Sequence, residues 1–387
     1  MRLSETAWRC FRNLEPRRQQ WHPGLNVFLG PNGSGKTNIL EAVNVLSGWS
    51  VFPVSGNRIS SMITWNSAEK RAFLSGQALS EHVSLGDASG GRELEIIAQI
   101  GERLSLRVSN ERVTYSELRA LLPSLSFLPG DVNILDGSPS IRRYFLDKIC
   151  ALCSPLYARR LSEYRQLVRH RSVLLRSMLS RSESEKTASL RATIIPIAQM
   201  GGWIRLVRKK AIDLLGERLS AEKSSLENNL LPFEVDAAME PRGGYMGNMK
   251  EDCGVEAYIE DLKLALDANS ECERRAGLVL VGPHRDDLTF SCLGRPAALA
   301  LSRGQKRRVV MAVILAAGRL VETKLRLKPI LILDDVAAEL DAEGKSLMGQ
   351  ALLETGWQVF TTGAGTENPF RTTDSAIWHI CDGKIIG

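Results

Sequence analysis

Residues 30–37 read Gly30-Pro31-Asn32-Gly33-Ser34-Gly35-Lys36-Thr37, a glycine-rich stretch between a short apolar segment and a helical pattern. Val27-Phe28-Leu29 has the composition of a buried strand, and Lys36 to Leu46 carries apolar residues at helical spacing. The stretch fits G-x-x-x-x-G-K-[ST]. Glycines let backbone N–H groups turn inward and approach an anion closely. The helix that follows points its positive end at the same anion. Lys36 is placed to reach the outer phosphates of a nucleotide, and Thr37 to put its hydroxyl on Mg2+. Gly30, Asn32, Gly33, Ser34, Gly35 and Asn38 complete the expected phosphate cradle. A strand, this loop and a helix in that order predict an α/β fold built around a phosphate site.

A second apolar run, Ile330-Leu331-Ile332-Leu333, ends in Asp334-Asp335. Asp334 suits the acid that holds Mg2+ in a P-loop NTPase. Asp335 is one carbon shorter than the glutamate often found at that place, and it is the candidate general base for an attacking water. Glu339-Leu340-Asp341 follows at the spacing of a D-loop, a segment that runs along a dimer interface.

The remaining composition bounds the answer. The chain has 387 residues, 44% of them hydrophobic, enough for a large core and two lobes. A net charge of +6 fits an anionic partner such as nucleic acid, and fits a plain soluble enzyme equally well. The N-terminus has no apolar leader pattern and the longest apolar runs are strand-length, so a cytoplasmic protein with no membrane partner is expected. Seven cysteines without framework spacing suit a reducing compartment. Cys150 and Cys153 form a CxxC with no second pair or histidines at ligand spacing, and they read as ordinary helix cysteines.

Along the chain, short alternating segments from Leu94 to Ile100 and Leu104 to Val108 predict antiparallel strands. After Pro155 the apolar residues recur at helical spacing to about Leu230. A polar break at Ser180 to Glu185 and a kink at Pro196 are expected within that stretch. A 25-residue helix would reach about 37 Å, a short arm. PRGGYMGN at Pro241 to Asn248 reads as a loop. Strand-like texture returns at Leu278 to Val281 and Leu288 to Phe290, and Asp382-Gly383 signals a closing hairpin. The expected boundaries are 1–126 and 276–387 for the two halves of one ATPase lobe, with a helical insertion at 127–275.

Leu301-Ser302-Arg303-Gly304-Gln305 resembles the LSGGQ signature of ABC-type ATPases, with Arg303 in place of one glycine. In that family the signature caps the γ-phosphate bound by the other protomer. The resemblance assigns Ser302, Gly304 and Gln305 to a nucleotide site in trans and makes Ser302 catalytic beside Lys36 and Asp335. The motif order matches as well: phosphate loop, signature, acidic strand end, D-loop with Glu339 and Asp341. An α/β P-loop ABC-type head, Rad50-like, with an N-terminal antiparallel β region and an inserted α-helical lobe is therefore expected.

Further stretches narrow the family. FLPGD at 127–131, GSPSIRRYFLD at 137–147, GPHRDD at 282–287, Phe11-Arg12-Asn13 and DDVAAELD at 334–341 together resemble the RecF family of bacterial recombination-repair proteins. The resemblance covers nearly the whole chain in order. It implies a slow, DNA-stimulated ATPase that uses ATP and Mg2+ and dimerises on ATP. It implies binding to double-stranded DNA near single-stranded gaps, with RecR and, indirectly, RecO as partners in loading RecA. Asn13 resembles a nucleotide-proximal residue, and Thr361 stands where other ABC heads carry a γ-phosphate sensor. DNA contact would be electrostatic. The candidate cations are Arg142, Arg143, Arg165, Arg169, Arg171, Arg205, Arg208, Lys209 and Lys210. The alternatives are other ABC-type heads: a transporter subunit predicts a membrane partner, and an SMC or Rad50 scaffold predicts arms of hundreds of residues.

Overall fold

The chain begins with an alternating strand, β1 (Arg2–Arg9), that buries Leu3, Thr6 and Trp8. A register shift between Leu3 and Glu5 sets the uneven spacing of those inward residues. β1 pairs antiparallel with β2 (Arg17–Gln20) and with β4 (Ala72–Leu79), whose positions alternate buried and half-buried throughout. β5 (Glu93–Ile100), β6 (Leu104–Val108) and β7 (Glu111–Val113) extend this to a six-stranded sheet, numbered in chain order and arranged β2-β1-β4-β5-β6-β7. Ser109 and Asn110 both take positive φ, 48° and 69°, the two-residue geometry that matches hairpin twist.

β3 (Leu25–Leu29) belongs to a second six-stranded sheet of order β15-β14-β3-β13-β12-β8. Its other members are β8 (Ser124–Phe127), β12 (Ile330–Leu333), β13 (Val359–Gly363), β14 (Ser375–Cys381) and β15 (Lys384–Ile386). All pairings are parallel except that of the closing β14–β15 hairpin. β3, β8, β12 and β13 are buried along their whole length, as parallel strands covered on both faces must be. The helix α1 (Lys36–Leu46) joins the two sheets into one core. Its Ile39, Leu40, Val43 and Leu46 cluster with Leu3, Leu74 and Ile96 of the first sheet and with Phe28, Ile332 and Phe360 of the second. The register sets Leu333 beside Thr361 and Gly363 beside Leu29, so the loops after β3, β12 and β13 leave from one edge. In open parallel sheets that carboxyl edge is where ligands bind. α2 (Tyr115–Leu121) opens with a Thr114–Glu117 capping box.

The structure, a computed structural model, describes residues 1–50, 52, 59–65, 67–79, 93–177, 183–222, 234–241, 253–363, 368–370 and 374–386. Ser180 to Ser182 of the polar break and all but the first residue of the loop at Pro241 to Asn248 lie outside those residues. The chain forms two units, the first of Met1–Asn133, Ala221–Pro232 and Ser302–Gly387, the second of Ile134–Ser220 and Phe233–Leu301. No helix of the described residues is long and apolar enough to cross a membrane.

The second unit contains α3 (Pro139–Cys153), α4 (Tyr157–Ser177), α5 (Glu183–Ala192), α6 (Ile194–Glu222), α7 (Val255–Ala268), α8 (Ser270–Ala276) and α9 (Ala297–Ala300). A small antiparallel sheet, β11-β10-β9, adds β9 (Val235–Glu240), β10 (Asp287–Cys292) and β11 (Arg295–Pro296). Residues 276–301, expected in the returning half of the ATPase lobe, group with this unit because β10 pairs with β9. Leu278 to Val281 is not a strand. Its backbone is satisfied by side chains instead: Leu280 N–H donates to Glu273 and the Val279 carbonyl accepts from Arg285. Pro196 stands in the first turn of α6, where its missing N–H breaks no helical hydrogen bond, so no kink is required there. Cys150 and Cys153 both lie at the end of α3, and burial pushes the Cys150 thiol well up, which makes it unreactive.

The first unit closes with α10 (Arg303–Leu325) and α11 (Ala342–Thr355). Buried Val309, Val313 and Leu320 hold α10 in place, and Glu322 accepts the Trp357 indole N–H at 3.0 Å.

Candidate active site

The glycine-rich loop leaves β3 and enters α1 through Gly35, whose φ of 110° favours glycine. A Cβ there would lie 2.9 Å from Asn13 Oδ1, and one on Gly30 would lie 2.2 Å from the Ile380 carbonyl oxygen. The C-terminal hairpin thus packs directly against the loop, and Gly383 N–H donates to the Ser34 carbonyl at 2.7 Å. Asn38 Nδ2 donates to Asn13 Oδ1 at 2.7 Å, so the N-terminal segment braces the loop from the other side.

Lys36 Nζ donates to the carbonyls of Gly30 at 2.6 Å and Pro31 at 2.8 Å. Burial lowers the Lys36 pKa, while the charges of Asp335 and Asp334 pull it back up. Thr37 Oγ1 donates to Asp334, 3.1 Å and 3.0 Å from its two oxygens, although 297 positions separate the two residues. Burial raises the Asp334 pKa, opposed by hydrogen bonds from Thr362 and Thr37. Lys36, Thr37, Asp334, Asp335, Asn32 and Asn38 line one cavity of about 300 Å³ together with Gly33, Gly35, Pro129 and Thr362. The residues fit a polyphosphate with a hard divalent cation. A hydroxyl and a carboxylate sit together as oxygen donors, as Mg2+ takes them, and the Ser34 hydroxyl is buried with no hydrogen-bond partner among the described residues.

Thr361, the expected sensor, does not line the cavity: it is fully buried, and its hydroxyl has no partner among the described residues. Thr362 lines the cavity, donates to Asp334 at 2.8 Å and accepts the Asp335 N–H at 2.7 Å. Successive side chains of β13 point to opposite faces, so only one of two adjacent threonines can face the site. Thr362→Val removes a hydrogen bond to a buried carboxylate, worth about 1.5–3 kcal/mol. It is expected to lower phosphate release by roughly tenfold or more. Thr361→Val replaces an unpaired hydroxyl with a methyl group, and a phosphate-release assay is expected to find it unchanged. Equal losses in the two variants would remove Thr362 from the site.

Ser302 and its neighbours Arg303, Gly304 and Gln305 are exposed. Ser302 caps α10: its hydroxyl accepts from Gln305 N–H at 3.4 Å, and Gln305 Oε1 accepts from Ser302 N–H at 2.9 Å. Asp341 caps α11 by accepting from Gly344 N–H at 2.7 Å. Arg308 reaches from α10 to Glu343 at 2.5 Å and Asp341 at 3.5 Å. Arg308 thereby ties α10 to the start of α11, which accounts for one cation of the Lys306-Arg307-Arg308 run. Glu339 ends a 3-10 turn, Val336–Glu339, and its side chain lies outside what the structure describes.

Several candidate DNA contacts are corrected. Arg142 donates from Nε and Nη2 to Asp287, both at 2.8 Å, and its side chain is largely buried. Arg208, 2% exposed, bonds Asp147, Tyr157 and the Pro283 carbonyl. Arg205 and Arg171 are fully buried on Asp286 and Glu273. These guanidiniums hold the second unit together and do not face solvent. Arg165 and Arg169 are exposed, Arg143 is half-buried, Lys209 pairs with Asp213 at 2.6 Å, and Lys210 is exposed. The same contacts explain GPHRDD as a packing motif, which its lone histidine did not reveal.

A parallel sheet with a phosphate loop, an acidic strand end and a capped signature-type helix defines an ATPase head of the ABC/SMC class. The RecF/RecN/SMC N terminal domain family matches residues 2–377. A Moorella thermoacetica protein named DNA replication and repair protein RecF is 30% identical over 97% of this chain and 93% of its own length. A protein of the same name from Geobacillus kaustophilus is 32% identical over 88% and 87%. The chain belongs to the RecF family. Among solved structures, the recombination mediator protein RecF-ATPrS in the RecFOR pathway superposes with a TM-score of 0.83 at 23% identity, covering 99% of this chain and 97% of that one. An Smc head bound to the C-winged helix domain of ScpA gives 0.53 at 18% identity, covering 99% and 97%.

Proposed function

We propose that this chain is a DNA-binding ATPase that dimerises on ATP, engages double-stranded DNA beside single-stranded gaps, and promotes RecA loading in the cytoplasm with RecR and, indirectly, RecO. The observation that carries this reading is the meeting of Lys36, Thr37 and Asp334 in one cavity at the carboxyl edge of the parallel sheet. Family membership supplies the DNA and the partners. Lys36 and the loop N–H groups hold the phosphates. Thr37 and Asp334 hold Mg2+, which neutralises charge on the phosphates when bound. Asp335, exposed at the mouth and beside Lys36, orients and deprotonates the attacking water. Ser302, Gly304 and Gln305 complete the site of the second protomer, with the N-terminus of α10 directed at its γ-phosphate. Glu339 and Asp341 lie at the dimer seam. DNA stimulates the slow turnover, and the exposed cations Arg165 and Arg169, with Lys209 of α6, contact phosphates without reading sequence.

Sedimentation velocity with and without ATP and gapped duplex DNA tests the reading. The parent chain is expected to shift from monomer to dimer with ATP and to carry DNA with it. Lys36→Arg is expected to stay monomeric, and normal ATP-driven dimerisation of that variant would overturn the role of the loop.

A further inference from the structure

Helices α3, α4 and α6 of the second unit enclose a cavity of about 330 Å³ that the ATPase reading leaves unused. Its charged lining is Arg143, Arg165 and Arg208 against the single carboxylate of Asp147. His284 also lines it, but burial lowers its pKa to about 4, so it is neutral at physiological pH. Its ring is used inward, with Nδ1 2.7 Å from Tyr164 Oη and Nε2 3.2 Å from the Val279 carbonyl. The nearby carboxylates are turned to other arginines: Asp286 and Asp261 share Arg205, and Asp287 is held bidentately by Arg142. Asp147 is itself crowded with donors: Tyr157, Arg208 and Arg165 all bond to it.

Arg143 is the residue left over. Its Nη1 donates to the Asp286 carbonyl at 2.8 Å, which fixes the direction of the guanidinium. No carboxylate lies within ion-pair distance of it among the described residues. Burial and the like charge of Arg208 push its pKa down, and the charges of Asp287, Asp147 and Asp286 offset this only in part. Arg165, with a side chain 58% exposed, stands at the rim and can turn toward an occupant.

We propose that this cavity binds a phosphate monoester, with Arg143 and Arg165 as its ligands. Three guanidiniums line the cavity against one carboxylate, an excess of positive charge that the second carboxylate on Arg205 offsets only in part. A phosphate monoester carries about −1.5 to −2 at neutral pH and three acceptor oxygens, so it can engage both guanidiniums at once with more charge than one carboxylate or one phosphodiester brings. The planar fork of arginine suits phosphoryl oxygens bidentately. The site lies wholly within the second unit, so it stands whether or not the chain hydrolyses ATP.

Calorimetric titration of the full chain with inorganic phosphate tests it, with the P-loop first saturated by a non-hydrolysable ATP analogue. Phosphate is expected to bind, and Arg143→Gln and Arg165→Gln are each expected to weaken binding at least tenfold. Arg165 is exposed, so its variant reports on the site even where Arg143→Gln disturbs folding. Arg159→Gln, on the same helix and paired with Glu163, is expected to bind as the parent does. A 5′-phosphorylated duplex binding more tightly than its 5′-hydroxyl twin would make a nucleic-acid end the source of the group. Equal duplex binding, with phosphate still bound, would make it a free phosphorylated small molecule. The proposal falls if the parent binds no phosphate, if both variants bind as the parent does, if Arg159→Gln loses as much as they do, or if a glutamate-rich peptide binds where phosphate does not.

Discussion

A Ser302→Arg chain is expected to bind ATP as tightly as the parent monomer, to fail to dimerise on ATP, and to lose hydrolysis by a factor of about 10² or more. No residue from Ser302 to Gln305 lines the cavity that holds Lys36, Thr37 and Asp334. The loop is exposed at the N-terminus of the 23-residue helix α10, where the helix dipole and free N–H groups favour an anion. In the proposed dimer the second chain supplies the phosphate that meets this helix end. Arginine at this position fills that space and removes the serine hydroxyl, while the distant phosphate loop is untouched. Capping is the confounding effect, because Ser302 accepts from Gln305 N–H. Loss of an N-cap costs about 1 kcal/mol, so Ser302→Ala serves as the control. It removes the cap but leaves the backbone N–H groups open, and a smaller loss of hydrolysis is expected. Titration with a fluorescent ATP analogue, sedimentation and phosphate release read the three effects separately. Parallel loss of monomer ATP binding in Ser302→Arg would return the loop to its own protomer's site.

The phosphate loop and the acidic strand end were legible because backbone and motif coincide. A fully buried strand, glycines at positive φ and a helix N-terminus leave few other readings of residues 25–46. The contact between Thr37 and Asp334 follows once two parallel strands share an edge. The choice between Thr361 and Thr362 was not legible, because a TT pair on a strand does not say which face is inward until the register is known. The arginines failed for a different reason. Arg142 and Arg208 stand on helices rich in charge, and nothing local marks a guanidinium whose carboxylate lies 145 or 61 positions away. The signal that could have found them was the other half of each pair. Asp286-Asp287 sits just before an apolar strand, where two adjacent acids would be buried together and would each need a cation.

Arg205→Met is expected to destabilise the second unit by roughly 3–5 kcal/mol, the range for breaking a buried ion pair from one side. Arg205 is fully buried; its Nε and Nη2 donate to Asp286 at 2.8 Å each, and its Nη1 donates to Asp261 at 3.1 Å. Removing it leaves two carboxylates in a low-dielectric interior with no cation. Thermal unfolding followed by circular dichroism is expected to fall by roughly 6–20 °C for a unit of this size. Arg205→Lys keeps the charge but cannot form the bidentate fork, so it is expected to fall less. Combining Arg205→Met with Asp286→Asn and Asp261→Asn is expected to recover much of the loss, since the uncompensated charge causes it. Arg169→Met, a change on an exposed face, is expected to stay within about 0.5 kcal/mol of the parent. Because GPHRDD contributes Asp286 to this pair and Asp287 to Arg142, the motif acts first on stability. Any loss of DNA binding in Arg205→Met is then expected to follow its unfolding curve. Lost DNA binding at temperatures where the variant is still fully folded would instead assign Arg205 a direct role at the nucleic acid.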